Sequence, residues 1–127
     1  MRILIVEDAV ERVEQFIEWL DNHEVVFMAS AEKARAWLKD NACDVVFLDH
    51  DLQPEHYYAL VSGGPYGDGT GADVADAIPL GTLVVVHSMN PSALRRIAAR
   101  LPKGSLVVHA PFPVLNAITV ARILAHR

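Results

Sequence analysis

Five short apolar segments, each followed by a longer stretch of helical periodicity, constrain the fold of this chain more than any other feature. The segments read RILIV (2–6), EVVFMA (24–29), DVVFL (44–48), TLVVVH (82–87) and SLVVH (105–109). They are rich in Val, Ile and Leu and mostly lack alternation with polar residues, which is typical of parallel strands covered on both faces. The pattern predicts five βα units in a doubly wound α/β fold.

The stretches between these segments carry apolar residues at helical spacing. The stripes of the first, fourth and last predicted helices are Val10, Val13, Ile17 and Leu20, then Leu94, Ile97, Ala98 and Leu101, then Val114, Ala117, Ile118 and Ala121. Ser30 is the predicted N-cap of the second helix, and Asn90-Pro91 the predicted start of the fourth. Right-handed crossovers between such units leave few arrangements, and they predict one domain over residues 1–127 with the flavodoxin-like strand order 2-1-3-4-5.

Composition narrows the classes of function. A net charge of −5 argues against an extended nucleic-acid surface, although a small nucleotide or an RNA end needs only a local site. The longest apolar runs are too short to span a bilayer, so no membrane association is expected. The single cysteine, Cys43, cannot form an internal disulfide. It favours a reducing compartment, and we expect a cytoplasmic protein.

The connection after the third predicted strand is unusually long for a strand-to-helix loop. It reads DHDLQPEHYYALVSGGPYGDGTG (49–71) and contains five of the seven glycines and all three tyrosines. A long insertion without a function is one interpretation. A lid or binding element is the other, since loops at strand ends often carry function.

Polar residues gather where the predicted strands end, and this is the edge at which open α/β sheets bind ligands. They are Glu7, Asp8, Asp49, His50, Asp51, His87, Ser88, Asn90 and His109. Several have structural alternatives. Asp8 fits a capping box at the first helix, Asn90 fits a cap of the fourth, and His109 could be a packed or hydrogen-bonded core histidine.

The chain resembles the CheY-like receiver domains of bacterial two-component signalling. ILIVED matches the first strand of that family with its acidic pair, Glu7 and Asp8, and DVVFLDHDL matches the strand that ends in the phosphoacceptor, at Asp49. Ser88 stands at the position of the family's hydroxyl residue. VVHAPFP departs from the family, because Ala110 replaces the lysine that pairs with the phosphoryl group.

A divergent branch is more similar, the cyclic-phosphate-processing receiver-like domains. The segments LDHDL and HSMNP carry this resemblance, through His50 and through His87, Ser88 and Asn90. It implies action on cyclic phosphate ends or cyclic nucleotides.

The first hypothesis is therefore a phosphoesterase acting on a cyclic or terminal phosphate, carried by a small molecule or an RNA end. Imidazoles suit acid–base work at neutral pH, so the predicted catalytic residues are His50 and His87 with Asp49. Ser88 and Asn90 are predicted to bind phosphate. A divalent cation, Mg²⁺ first, is predicted at Glu7, Asp8, Asp49 and Asp51. Alanine at His50 or His87 should abolish most turnover of a 2′,3′-cyclic phosphate and leave the melting temperature nearly unchanged.

Two other hypotheses remain open. The chain could be a response-regulator receiver in which Asp49 is phosphorylated, or a degenerate, non-catalytic binding domain. A homodimer through the face of helices four and five is a further expectation.

Overall fold

The computed structural model describes residues 1–50 and 70–127. It contains one parallel sheet in the order β2-β1-β3-β4-β5, which confirms the predicted fold class and strand order. The strands are β1 (Arg2–Val6), β2 (Glu24–Met28), β3 (Val45–Leu48), β4 (Leu83–Val86) and β5 (Val107–His109). Most of the predicted loop, with Asp51 and the three tyrosines, lies outside the described residues.

Five α-helices of the described residues surround the sheet. They are α1 (Val10–Trp19), α2 (Ala31–Asp40), α3 (Ala72–Ala75), α4 (Ala93–Arg100) and α5 (Ala117–Ala125), with a 3₁₀ turn at Phe112–Val114 before α5. None of these helices is long and apolar enough to cross a membrane.

The helix starts agree with the sequence in part. Ser30 caps α2, since its side chain accepts a hydrogen bond from the backbone N–H of Lys33 at 3.2 Å. The capping alternative for Asp8 is wrong, because the N-cap of α1 is Ala9 and has no side-chain cap. At the fourth helix, Asn90 accepts from the backbone and hydroxyl of Ser92, and regular α4 begins at Ala93.

Two hydrophobic cores lie on opposite faces of the sheet. On the α1/α5 face, Phe16 and Leu20 of α1 and Val120 and Leu124 of α5 pack on the strands. The other core holds the buried residues of α2, α3 and α4.

The apolar stripe predicted for α5 was wrong, and the stripe predicted for the first helix was right only in part, since Leu20 is buried as predicted. Val10 is 67% exposed and Ile17 is 53% exposed on α1, and Ile118 is 65% exposed on α5. The aromatic side chain of Phe16 decides the orientation of α1, because its ring lies 5.1 Å from that of Phe47 on β3. A buried aromatic ring offers more apolar area than a valine.

Candidate functional site

The floor of the site is one row of residues directly beyond β1, β3 and β4. The parallel pairing continues past the strands, since the N–H of Asp49 donates to the C=O of Val6 at 3.1 Å and the N–H of His87 donates to that of Leu48 at 3.2 Å. Glu7 follows Val6 directly. Glu7, Asp49 and His87 are therefore neighbours at one level of the sheet.

Strand alternation turns all three side chains to the α1/α5 face. The residues two positions earlier lie in that core: Ile5, Phe47 and Val85. Side chains along a strand alternate with period two, so Glu7, Asp49 and His87 point the same way. Their ligand-forming atoms all lie within 4.8 Å of one another.

Glu7 and His87 form a buried pair. Oε1 of Glu7 lies 3.0 Å from Nε2 of His87, and the side chains are 1% and 0% exposed. The other carboxylate oxygen, Oε2, accepts from the backbone N–H groups of Asp8 (3.0 Å) and Ala9 (3.2 Å). Glu7, rather than Asp8, thus supplies the acceptor for the backbone donors that precede α1.

The protonation of this pair follows from its surroundings. Burial acts to raise the pKa of Glu7, but the hydrogen bond and charge interaction with His87, the backbone N–H of Ala9 and the charge of Arg12 outweigh it, and the pKa falls to about 2. Burial lowers the pKa of His87 despite the opposing effect of Glu7. Near neutral pH we therefore assign an ionised Glu7 that accepts from the Nε2–H of a neutral imidazole. Nδ1 of His87 is buried and has no hydrogen-bond partner among the described residues.

Arg12 on α1 brings a positive charge to this row. Its Nη1 lies 3.5 Å from Oε1 of Glu7 and 3.9 Å from Oδ2 of Asp49. Its guanidinium lies over the ring of Phe112, 4.9 Å from the centroid, and Nη2 is 3.8 Å from Sδ of Met89. Arg12 was not among the predicted site residues. Its position in the first turn of α1, four residues after Asp8, was the available signal.

A cavity of about 350 Å³ opens above the row. The described residues that line it are Glu7, Asp8, Ala9, Arg12, Asp49, Ser88 and Met89. The structure therefore brings together four of the predicted site residues. The hydroxyl of Ser88 accepts from the backbone N–H of Asn90 at 3.1 Å, which leaves the Ser88 proton to donate elsewhere.

Other predicted residues do not line this cavity. His87 lies behind Glu7, and His50 is 2% exposed, with its carbonyl accepting from the N–H of Gly71 at 2.8 Å. Strand alternation assigns His50 to the face opposite Asp49. Asn90 also lies outside the lining and uses its Oδ1 to hold Ser92.

The end of β5 carries no charge into the site. Ala110, at the position of the lysine in receivers, is 7% exposed and belongs to the α1/α5 core. His109 is hydrogen-bonded, since its Nε2 donates to the carbonyl of Ser88 at 3.1 Å, but it is exposed and is not the core histidine that one interpretation expected.

The donor set fits a hard divalent cation. Carboxylate oxygens are the ligands that Mg²⁺ prefers, and the ligand atoms of Glu7 and Asp49 lie within 4.8 Å of each other, with His87 as the third member of the group. Asp8 lines the same cavity but does not belong to this group. Because the Arg12 guanidinium lies within 4 Å of Glu7 and Asp49, a metal held by both would compete with it.

Comparison with known proteins places this geometry in a family. The sequence profile described as "Cyclic-phosphate processing Receiver domain" matches residues 3–103. A search of curated proteins found no match.

Solved structures show the same fold at low sequence identity. A CheY-like response regulator receiver domain from Methylobacillus flagellatus is similar with a TM-score of 0.68 and 17% identity, over 99% of this chain and 97% of that one. The signal receiver domain of a LuxO repressor protein from Vibrio parahaemolyticus has a TM-score of 0.67 and 16% identity, over 98% of this chain and 87% of that one. The BeF3-activated DrrB receiver domain has a TM-score of 0.66 and 17% identity, over 98% of this chain and 97% of that one. Because the profile covers most of the chain, this protein belongs to the family of cyclic-phosphate processing receiver domains.

Proposed function

We propose that the domain binds a divalent cation and a phosphate group in the cavity at the carboxyl end of the sheet, and that it processes a cyclic or terminal phosphate there. The observation that carries the proposal is the meeting of the Glu7, Asp8 and Asp49 carboxylates with Ser88 around one cavity. The family name supports a phosphate-containing substrate. That residues 1–127 form one domain stays a prediction.

Each lining residue has a chemical role in this proposal. Glu7, Asp8 and Asp49 would hold the cation, which when bound supplies charge to neutralise phosphate oxygens. Glu7 is suited to this role because its lowered pKa, about 2, keeps it ionised. The Ser88 hydroxyl would donate a hydrogen bond to a phosphate oxygen, since its own oxygen already accepts one from the backbone N–H of Asn90.

Proton transfer falls first to Asp49, whose carboxylate faces the cavity. The acid–base roles of His50 and His87 stay predictions. Both imidazoles would have to become accessible to the phosphate, because neither lines the cavity in the described structure. In the described geometry His87 acts on the site through Glu7, which it holds by the Nε2 hydrogen bond. The phosphate-binding role of Asn90 and the metal role of Asp51 also stay predictions.

Phosphorus NMR tests the proposal directly. The protein with Mg²⁺ is incubated with a panel of 2′,3′-cyclic nucleotides and an oligonucleotide ending in a 2′,3′-cyclic phosphate. We expect the cyclic phosphate signal to be replaced by a monoester signal. Asp49→Asn should slow this by about 10²–10⁴-fold, the usual cost of losing an acid–base group. Asp40→Asn, at the exposed end of α2, is the matched control. Absence of turnover by the wild-type protein across the panel would refute the enzyme hypothesis.

A receiver function for Asp49 is the second candidate, and one observation favours it. Asp49 directly follows β3 and lines the same cavity as Ser88. Incubation with acetyl phosphate and Mg²⁺, followed by intact-mass measurement, separates the two candidates. Stoichiometric phosphorylation that disappears in Asp49→Asn would establish the phosphoacceptor. If neither turnover nor phosphorylation occurs in the folded protein, a non-catalytic binding domain becomes the better interpretation.

A further inference from the structure

The carboxylates that line the cavity would repel a bound phosphate group. Three carboxylates line it, from Glu7, Asp8 and Asp49, and a divalent cation would neutralise only two of the three negative charges. Among the described residues that line the cavity, Arg12 is the one basic side chain. Ala110 supplies none from β5. A divalent cation and Arg12 together would offset the three carboxylate charges, so both favour the binding of a phosphate anion.

The contacts of Arg12 suit an anion-binding role. Its distances to Glu7 and Asp49, 3.5 and 3.9 Å, are longer than the roughly 2.7–2.9 Å of charge-assisted hydrogen bonds. Charge attraction therefore holds the guanidinium near both carboxylates, and neither of these two contacts is a short, bidentate hydrogen bond. The side chain is 28% exposed, so part of it faces solvent at the mouth of the cavity.

Apolar contacts fix the plane of this guanidinium. It lies over Phe112 on one side, and Met89 is in contact with Nη2. Both contacts come from segments that follow strands β4 and β5 and pack beside α1. A guanidinium whose orientation is already set loses less entropy when it forms a bidentate contact with phosphate.

We propose that Arg12 binds the phosphate oxygens of the ligand and supplies from α1 the positive charge that Ala110 cannot supply from β5. This inference rests on the proposed function for its ligand class, a phosphate monoester or a cyclic phosphodiester. The alternative is a structural role, in which Arg12 would serve only to offset the negative charges of Glu7 and Asp49.

Calorimetry with inorganic phosphate in the presence of Mg²⁺, and with Mg²⁺ alone, separates the two roles. The variants are Arg12→Ala and Arg12→Met, the second of which keeps an unbranched apolar chain against Phe112. Arg96→Ala, on the exposed face of α4, is the matched control. Circular dichroism verifies that each variant is folded.

We expect both Arg12 variants to bind phosphate at least about 10-fold more weakly, as for loss of a hydrogen bond to a charged group. Mg²⁺ affinity should be unchanged or tighter, because a competing cation is removed. Arg12→Lys should restore only part of the phosphate affinity, since an ammonium lacks the planar fork.

Three results would overturn the inference: wild-type phosphate affinity in the folded variants, parallel loss of phosphate and Mg²⁺ binding, or no saturable phosphate binding by the wild-type protein. The outcome is distinguishable from failure of the proposed function. Phosphate binding that depends on Arg12, without turnover of any cyclic phosphate, supports Arg12 and refutes the enzyme. Turnover of a cyclic phosphate with an unchanged KM in Arg12→Met supports the enzyme and refutes the phosphate-binding role of Arg12.

Discussion

Replacing His87 by alanine should destabilise the protein strongly. From the sequence we expected a rim residue whose removal leaves the melting temperature nearly unchanged. His87 is instead 0% exposed, and its ring packs 5.3 Å from that of Phe16. It also donates to Oε1 of Glu7, which is itself buried. The substitution thus opens a void and removes a hydrogen-bond donor from an ionised carboxylate.

The magnitude can be worked from these two effects. Deleting a large buried side chain costs about 2–5 kcal/mol, and losing a hydrogen bond to a charged group costs about 1.5–3 kcal/mol. Partial relaxation and the remaining donors to Glu7 reduce the total, so we expect about 3–5 kcal/mol. An unfolding entropy of about 2 cal/mol/K per residue over 127 residues converts this to a fall in melting temperature of about 10–20 °C.

Thermal and urea denaturation at pH 7, followed by circular dichroism, measure this loss. His126→Ala, at the exposed end of the chain, is the control and should stay close to the wild type. The double variant Glu7→Gln/His87→Ala should cost less than the two single variants added together, because each single change leaves the other partner buried. A melting temperature of His87→Ala within about 2 °C of the wild type would refute the reasoning.

Two further predictions concern Glu7 and Gly71. The folded pKa of Glu7 is about 2 against the usual 4.5, so its ionised form contributes stability that is complete above pH 4.5 and is lost as the pH falls towards 2. Glu7→Gln should therefore flatten the dependence of unfolding free energy on pH over this range, and an unchanged slope would contradict this. A Cβ on Gly71 would lie 2.0 Å from the carbonyl oxygen of Asp49, so Gly71→Ala should cost at least about 1–3 kcal/mol and weaken Mg²⁺ binding. Gly81→Ala, where nothing lies within 4 Å and only the positive φ of 98° opposes the change, should retain Mg²⁺ binding.

The fold was predictable because the strands are recognisable in the sequence as short, continuous apolar segments. Segments such as VVFL in β3 are apolar at every position, which only burial on both faces of a sheet explains. The helices were harder, since several apolar stripes fit one amphipathic sequence. At the first helix, Val10 and Ile17 were predicted to be buried together with Leu20. Phe16 is buried in their place, because its ring packs against Phe47 and Phe112.

The site was predictable in its location and less so in its members. Chain order and strand order suffice to bring Glu7, Asp49 and His87 to one edge. Which side chains face the cavity depends on details that sequence spacing does not give. The pairing of β4 sets His87 behind Glu7, and the first turn of α1 brings Arg12 over both carboxylates.

The pH dependence of turnover follows from the same pairing and tests it. A histidine that acts on the phosphate at its ordinary pKa gives kcat/KM an inflection near pH 6.5. Burial lowers the pKa of His87 below its usual 6.5, and its Nε2–H is held by Glu7, so His87 should contribute no inflection between pH 6.5 and 8. Profiles of the wild type and of His87→Gln, measured below the melting temperature of the variant, should therefore have the same shape in that range and differ only in height. An inflection near pH 6.5 that His87→Gln removes would mean that His87 leaves Glu7 during turnover. One that His50→Gln removes would assign the proton transfer to His50 and would require β3 to reorganise beyond Asp49.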